Sequence, residues 1–420
     1  MTVTEQAQAA QVEKLVRELI GRPKVLVGMD LHSRKVTLTV SDWVYGADPI
    51  VKRRFLDVSL DALESTYTRN VSKDSLTIIE ASTNSFAVVK RLKAIGYKAV
   101  VVYSAILKGF SRDDRINDRI DSEKLTVAYA RFGSQRANVF VPTDEYAGYR
   151  DIVYGYRNAL KDMTRTSNRI WAFCGAHGMP LPKRKRDRKV SDVRSKADAM
   201  KISGLARFQL DDLLDEYDHA LKRHDKYRAK IVSIVSTNKE MIGVMQSPGI
   251  GVITAFALVA FVEDVRRFET AKKLVSYIGA NPRVNDSGED KGPQVLTSYG
   301  NKILKGYFVQ VGQAVCRRRT NHGVARWARA KIASGKAYNK VCMAVANKSI
   351  TYAWHILMGH PAPNRENEAL YRKKIRDLGY ELGEKTLKGM GLDSNAAFVE
   401  HIVTPLYAHL PKPELQTAAK

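Results

Sequence analysis

Four acidic residues, Asp30, Glu80, Asp118 and Asp121, have the types and spacing that metal chemistry needs. Asp30 ends the apolar run Val25-Leu-Val-Gly-Met-Asp30, and Glu80 ends Leu76-Thr-Ile-Ile-Glu80. Asp118 and Asp121 lie three apart, which puts both on one side of a helix. Grouped carboxylate oxygens suit a hard divalent cation, Mg²⁺ or Mn²⁺. Two such ions can activate an attacking oxygen and stabilise a leaving oxygen in phosphodiester chemistry. Around these acids the chain is strongly basic. It has 69 Lys and Arg against 44 Asp and Glu, a formal net charge of +25 in 420 residues. That excess predicts a polyanionic partner, and a basic body around an acidic centre reads as a nucleic-acid enzyme.

The elements that must position these acids follow from hydropathy period. Residues 10–20 have helical spacing closed by Gly21-Arg-Pro23. Strands are expected over 25–30, 35–43 and 50–57 as an antiparallel meander, then a helix at 59–70 and a strand at 75–80. A helix at 84–95, a strand at 98–103 and a helix at 119–132 follow. The order βββαβαβα resembles a ribonuclease-H-like fold, which places acids on the first strand, the fourth strand and the last helix. Asp113 and Asp114 lie nearby, but a loop ahead of a helix fixes a side chain less firmly than the helix face does.

From 144 to 240 the pattern is helical and charged. Tyr146–Ala176 and Leu205–Met241 read as long amphipathic helices of a coiled-coil arm, with Leu213, Leu214, Tyr217, Leu221, Tyr227, Ile231, Ile234 and Val235 near heptad positions. Between them lies a basic run: Lys183, Arg184, Lys185, Arg186, Arg188 and Lys189. A charge block is often only a solvated linker. In a chain this basic, a phosphate-contacting hinge is the stronger reading.

The region from 241 to 420 reads as a third, mainly helical domain after 1–143 and 144–240. Ser247-Pro-Gly-Ile-Gly251 followed by Val252–Ala260 looks like a helix-hairpin-helix element, with Gly249 and Gly251 letting backbone N–H groups approach a phosphate. A polar, glycine-rich loop over 281–293 leads to a helix at 302–316. A last helix at 335–358 and a polar C-terminal segment are expected to complete the chain. Ser287 in Asp286-Ser-Gly-Glu would pass for turn chemistry by itself.

Other classes fit poorly. No apolar stretch of about 18 residues is present to span a bilayer, and the N-terminus lacks the features of a secretory signal. The widely separated Cys174, Cys316 and Cys342 match no zinc spacing. A reduced, cytoplasmic, prokaryotic protein with no membrane partner is expected. The phosphate-loop pattern of many ATP-using enzymes is missing, which weakens a sugar-kinase or actin-like reading.

The combined pattern resembles one family. Asp30, Glu80 and Asp118-x-x-Asp121 are followed by Ser-Pro-Gly-Ile-Gly, by Arg-Phe-x-x-Ala-Lys-x-Leu-x-x-Tyr-x-Gly over 267–279, by Ser287-Gly288 and by Gly300-Asn301. This is similar to the DEDD transposases of the insertion-sequence group called IS one-ten, which also includes Piv-type DNA invertases. The resemblance covers roughly 25–160 and 240–358. It implies a RuvC-like N-terminal domain, a coiled-coil arm and a C-terminal transposase domain. It also implies that Ser287 is the nucleophile that becomes linked to DNA, and that a structured noncoding guide (bridge) RNA pairs with donor and target DNA. Ser122 departs from the pattern, in which alanine is usual. The stretch 292–296 is also less basic than the typical run. Arg283 and Lys291 flank Ser287 as phosphate clamps, and a homo-oligomer, dimer or tetramer, is expected because recombination needs at least two sites. Two alternatives stay open: a RuvC-like junction nuclease that uses water, and a nonenzymatic nucleic-acid-binding protein.

Overall fold

A computed structural model of the protein describes residues 23–103, 118–132, 138–183, 188–283, 286–287, 290–291, 295–297, 299–317, 322–360 and 365–408. The expected helix at 10–20 and the acids Asp113 and Asp114 lie outside the described residues. The chain divides into two compact units, Met1–Thr143 and Asp144–Lys420.

The first unit is a mixed sheet with helices on both faces. Its elements are β1 (Val25–Leu31), β2 (Lys35–Asp42), β3 (Ile50–Ser59), α1 (Leu63–Asn70), β4 (Ser75–Glu80), α2 (Ser85–Ala94), β5 (Lys98–Val102), α3 (Asp118–Phe132) and β6 (Asn138–Val139). Strand order is β3-β2-β1-β4-β5-β6. β1 runs antiparallel to β2 and parallel to β4. Side-chain alternation divides the strands cleanly. Val27, Met29, Val36, Leu38 and Ile79 pack in one core with Leu63, Tyr67, Val88, Val89 and Leu92 of α1 and α2. Leu26, Leu76 and Ile78 pack on the other face with Leu125 of α3. The expected helix at 59–70 opens as a 3₁₀ turn, Leu60–Ala62, capped by the Ser59 side chain. β1 continues one residue past the expected end, so Asp30 is its penultimate residue.

The second unit is helical. Its long pair is α4 (Asp144–Ala176) and α6 (Gly204–Thr237), of 33 and 34 residues, or roughly 50 Å each at the α-helical rise. Between them stands a short helix, α5 (Val193–Ala199), that the sequence reading did not anticipate. The far end of the pair has its own core around Ile170, Phe173, Leu210 and Leu214. The near end, through Val153, Tyr156, Ile231 and Val235, shares one core with the helices that follow. Those helices are α7 (Lys239–Val244), α8 (Val252–Val262), α9 (Ala271–Ile278), α10 (Lys302–Arg317) and α12 (Tyr338–Leu357), whereas α11 (Gly323–Ala333) packs in a separate core with Val315, Val341 and Val345. Residues 255–262 of α8 are all buried, as expected of a helix apolar on every side.

Three expectations need correction. The helix expected over Leu205–Met241 breaks at Asn238, whose extended backbone ends α6 at Thr237 and whose side chain accepts the Met241 N–H to cap α7. The segment after 358 is not merely polar: it folds as α13 (Arg365–Leu382), α14 (Glu384–Gly389) and α15 (Asn395–Tyr407). Tyr371, Ile375 and Leu378 recur at helical spacing and are fully buried, although charged residues surround them in sequence. The expected loop over 281–293 contains antiparallel ladders. β7 (Pro282–Arg283) pairs with β10 (Val295–Leu296), and β8 (Asp286–Ser287) pairs with β9 (Asp290–Lys291). No helix among the described residues is long and apolar enough to cross a membrane.

Candidate active site

In the first unit the acids are placed by a close contact between helix and strand. Gly28 faces α3, and a Cβ there would stand 1.7 Å from the Ser122 carbonyl oxygen. Only glycine admits that approach. Across the ladder Gly28 pairs with Thr39, whose Oγ1 lies 2.7 Å from the Ser122 Oγ in a buried hydrogen bond. Ser122 is thereby pinned to two strands at once. This is the position where the family pattern favours alanine, and Thr39 gives its hydroxyl a partner.

The consequence reaches the carboxylates through the pleat. Asp30 is two residues beyond Gly28, so it lies on the α3 face, and Glu80 shares that face with Leu76 and Ile78. β1 and β4 are in register from Val25↔Ser75 to Met29↔Ile79, so Asp30 and Glu80 close neighbouring strand ends. Both residues are half-buried. Asp121 immediately precedes the pinned Ser122, and its Oδ1 accepts from the Lys124 Nζ at 3.4 Å. Asp118 begins α3, and its side chain lies outside the described residues. Sequence reasoning missed His32, whose Nε2 is 3.5 Å from the Asp30 Oδ2. The Asn84 amide holds the His32 carbonyl at 3.0 Å.

The donor set of Asp30, Glu80 and Asp121 is all oxygen, which fits Mg²⁺ or Mn²⁺ better than zinc. Among the described residues, however, no three His, Cys, Asp or Glu side chains gather closely enough to hold an ion. Two strand carboxylates share a face, and the helix carrying the others is locked beside them.

In the second unit the motif over 267–301 builds a neck from which the short ladders emerge. Arg267 donates to the Val262 and Phe261 carbonyls at 2.9 and 3.0 Å, closing the C-terminus of α8 as a cation should. Its guanidinium also stacks on Phe268 and Tyr277, 4.2 and 4.7 Å from the ring centres. Tyr277 presents its carbonyl to the Asn301 N–H at 2.8 Å, and the Asn301 side chain caps α10 through the N–H groups of Ile303 and Leu304. The neck closes where two glycines meet. A Cβ on Gly279 would lie 2.3 Å from the Tyr299 oxygen, and one on Gly300 would lie 2.6 Å from the Gly279 Cα. Both have positive φ, +78° and +100°. Between these clamped ends Ser287 is paired with Asp290, and Arg283 with Val295. The side chains of Arg283, Ser287 and Lys291 lie outside the described residues.

Gly249 packs inward, because a Cβ there would meet Val311 and Val315 at 2.8 Å. Gly251 is the N-cap of α8 and faces open space. Both line a cavity of about 700 Å³ with Arg228, Lys373 and Lys374. In the basic run, Lys183 and Lys189 are exposed, and Arg188 lies 6.0 Å over the Trp171 ring. Arg184, Lys185 and Arg186 fall outside the described residues.

Residues 243–328, spanning the hairpin, the neck and the ladders, match the model of the transposase IS116/IS110/IS902 family. The chain carries a transposase domain of that family. The chain also has curated relatives. The chain is 27% identical over 133 residues to the transposase for insertion sequence element IS1111A of Coxiella burnetii, an alignment covering 31% of this chain and 36% of that protein. It is 19% identical over 335 residues to the transposase for insertion sequence element IS1328 of Yersinia enterocolitica, covering 78% of this chain and 95% of the relative.

Proposed function

We propose that this chain is a DNA transposase that cuts and rejoins strands through a covalent intermediate on Ser287. On this reading the first unit acts as a RuvC-like carboxylate domain, and the long helix pair acts as a coiled-coil arm. The observation that carries it is the neck at Gly279 and Gly300. The family motif builds a packed scaffold there around a short paired segment that carries a serine. A turn serine without a function would need no such support.

The chemistry balances without an external energy source. The Ser287 Oγ attacks phosphorus and forms an O–P bond, while one deoxyribose hydroxyl leaves. The serine proton passes to a base. A hydroxyl from the incoming strand then attacks the phosphoserine and restores Ser287, so one phosphodiester replaces another. A serine hydroxyl is a weak nucleophile and needs activation. Asp30, Glu80, Asp118 and Asp121 would hold Mg²⁺ or Mn²⁺, which when bound would supply nucleophile activation and charge stabilisation for phosphoryl transfer. Arg283 and Lys291 would hold the phosphate, and the basic run with the Gly251 N-terminus would hold backbone elsewhere. A structured noncoding RNA is the proposed guide to donor and target DNA, within a dimer or tetramer.

Strand joining on a donor–target pair tests this. The wild type should need Mg²⁺ or Mn²⁺, and Ser287→Ala should lose joining while still binding DNA. Metal-dependent cleavage retained by Ser287→Ala would favour the water-using nuclease. No metal-dependent activity by the wild type would favour the nonenzymatic binder.

A further inference from the structure

A second cavity, of about 550 Å³, opens between the Ser247-Pro248 turn, α12 and the first turn of α13. Asn347 and Asn367 both line it, and the carboxamide oxygen of each is shielded from water with no hydrogen-bond partner. Asn367 is only 8% exposed. A buried acceptor left in that state is costly, because it has given up water and gained nothing in exchange. Two in one cavity are difficult to explain as packing. The wall itself is firm, because the Ser349 Oγ donates to the Pro248 carbonyl at 3.3 Å. Tyr352 and His355 supply aromatic surface, and His355 is braced edge-on against Trp354 at 4.9 Å. Lys348 also lines the cavity and is exposed.

This lining selects a class of ligand. No carboxylate lines the cavity among the described residues, which argues against a metal ion, and a single cation is little for a bare phosphate. Carboxamides read flat edges that alternate donor and acceptor, as Asn does with adenine. Aromatic walls stack flat rings. We propose that this cavity receives one unstacked DNA base, rotated out of the duplex, with Asn347 and Asn367 reading its edge. Rotation of the carboxamides toward the base would relieve their unpaired state. The proposal rests on the reading of this chain as a DNA-binding transposase, and enzymes working on DNA do extrude bases into pockets at modest cost.

The test uses the full chain and two duplexes, one with a single bulged adenine and one with an abasic bulge at the same place. The wild type should prefer the adenine bulge by about tenfold, the value of one good base contact. Asn347→Leu with Asn367→Leu should abolish that preference and leave affinity for the abasic duplex unchanged. Its melting temperature should hold or rise, since apolar replacement of unpaired polar groups is near neutral or better. A merely structural role would lower it. His355→Ala, at an exposed position, should weaken the preference without a folding risk. Equal binding of both duplexes by the wild type overturns the base pocket alone, as does a preference that survives the double substitution. Failure to bind either duplex overturns the DNA-binding reading beneath it.

Discussion

In the first unit a helix is pressed onto a strand at Gly28, whereas in the second two glycines, Gly279 and Gly300, press on each other. The first contact fixes a surface. Ser122 is tied to Thr39 in the interior, and the carboxylates stand at strand ends on the same face. The second contact fixes only the base of a segment, and Ser287 sits beyond it in a two-residue strand. Groups that must hold a charge in place gain from a rigid sheet. A nucleophile that must reach a phosphate, become joined to it and later release it gains from a firm root and a short paired tip. The two regions therefore differ in what substitution should do to them.

The largest effect expected is in the first unit. Asp30→Ala or Glu80→Ala should eliminate strand joining in the presence of Mg²⁺ while leaving the melting temperature within a few degrees, because half-buried carboxylates at strand ends carry little of the core. Joining at wild-type rate by Asp30→Ala would remove the carboxylates from the account.

Gly28→Ala and Gly279→Ala should separate the two glycine contacts. The first drives a methyl into the Ser122 backbone and should destabilise its unit by about 3 kcal/mol or more. The second adds strain at positive φ and a clash with Tyr299, about 1–3 kcal/mol, yet should lose most joining activity. Thermal unfolding beside a joining assay separates them. If Gly279→Ala keeps activity at full level, the neck does not position Ser287.

Ser122→Ala is smaller. It leaves the buried Thr39 hydroxyl without that partner and should cost about 1–2 kcal/mol. A raised Mg²⁺ requirement should accompany the loss if the contact also aligns α3, and pairing with Thr39→Val should recover much of the stability. Unchanged melting in Ser122→Ala would show that the hydroxyl pair contributes nothing.

The smallest effect belongs to His322, the N-cap of α11, whose Nδ1 accepts the Ala325 N–H at 3.2 Å. Burial, with Lys374 adding to it, lowers its pKa below the usual 6.5. The unfolded chain then binds the proton more readily, so this contribution is present above about pH 6.5 and is lost as pH falls through the lowered value. His322→Asn keeps a cap and should flatten the fall in melting temperature below that pH. An equally steep fall in the variant would assign the pH dependence to other groups.

The contrast also explains what the sequence made legible. Strand β4 falls on the expected residues 75–80, because a short apolar run between polar turns is a local signal. The long helices α4 and α6 were legible from their helical hydropathy period, but the break at Asn238 inside the expected Leu205–Met241 was not. The lock between Thr39 and Ser122 spans 83 residues and has no local signature. His32 was passed over, although it stands two residues from Asp30. The C-terminal helices were hidden by composition: Tyr371, Ile375 and Leu378 keep helical period inside a segment dominated by charge. Arg267, Tyr277 and Asn301 were visible as a motif, but their physical role as the root of the neck required the fold.

Covalent joining of Ser287 to DNA is open to direct measurement. A joining reaction stopped by denaturation and digested with nuclease and trypsin should yield the peptide Val284–Lys291 carrying a nucleotide, with fragmentation placing the phosphate on Ser287. The wild type should yield that adduct only with Mg²⁺ or Mn²⁺, and Ser287→Ala should yield none. Joined product formed by the wild type with no nucleotide on that peptide at any time point would contradict it.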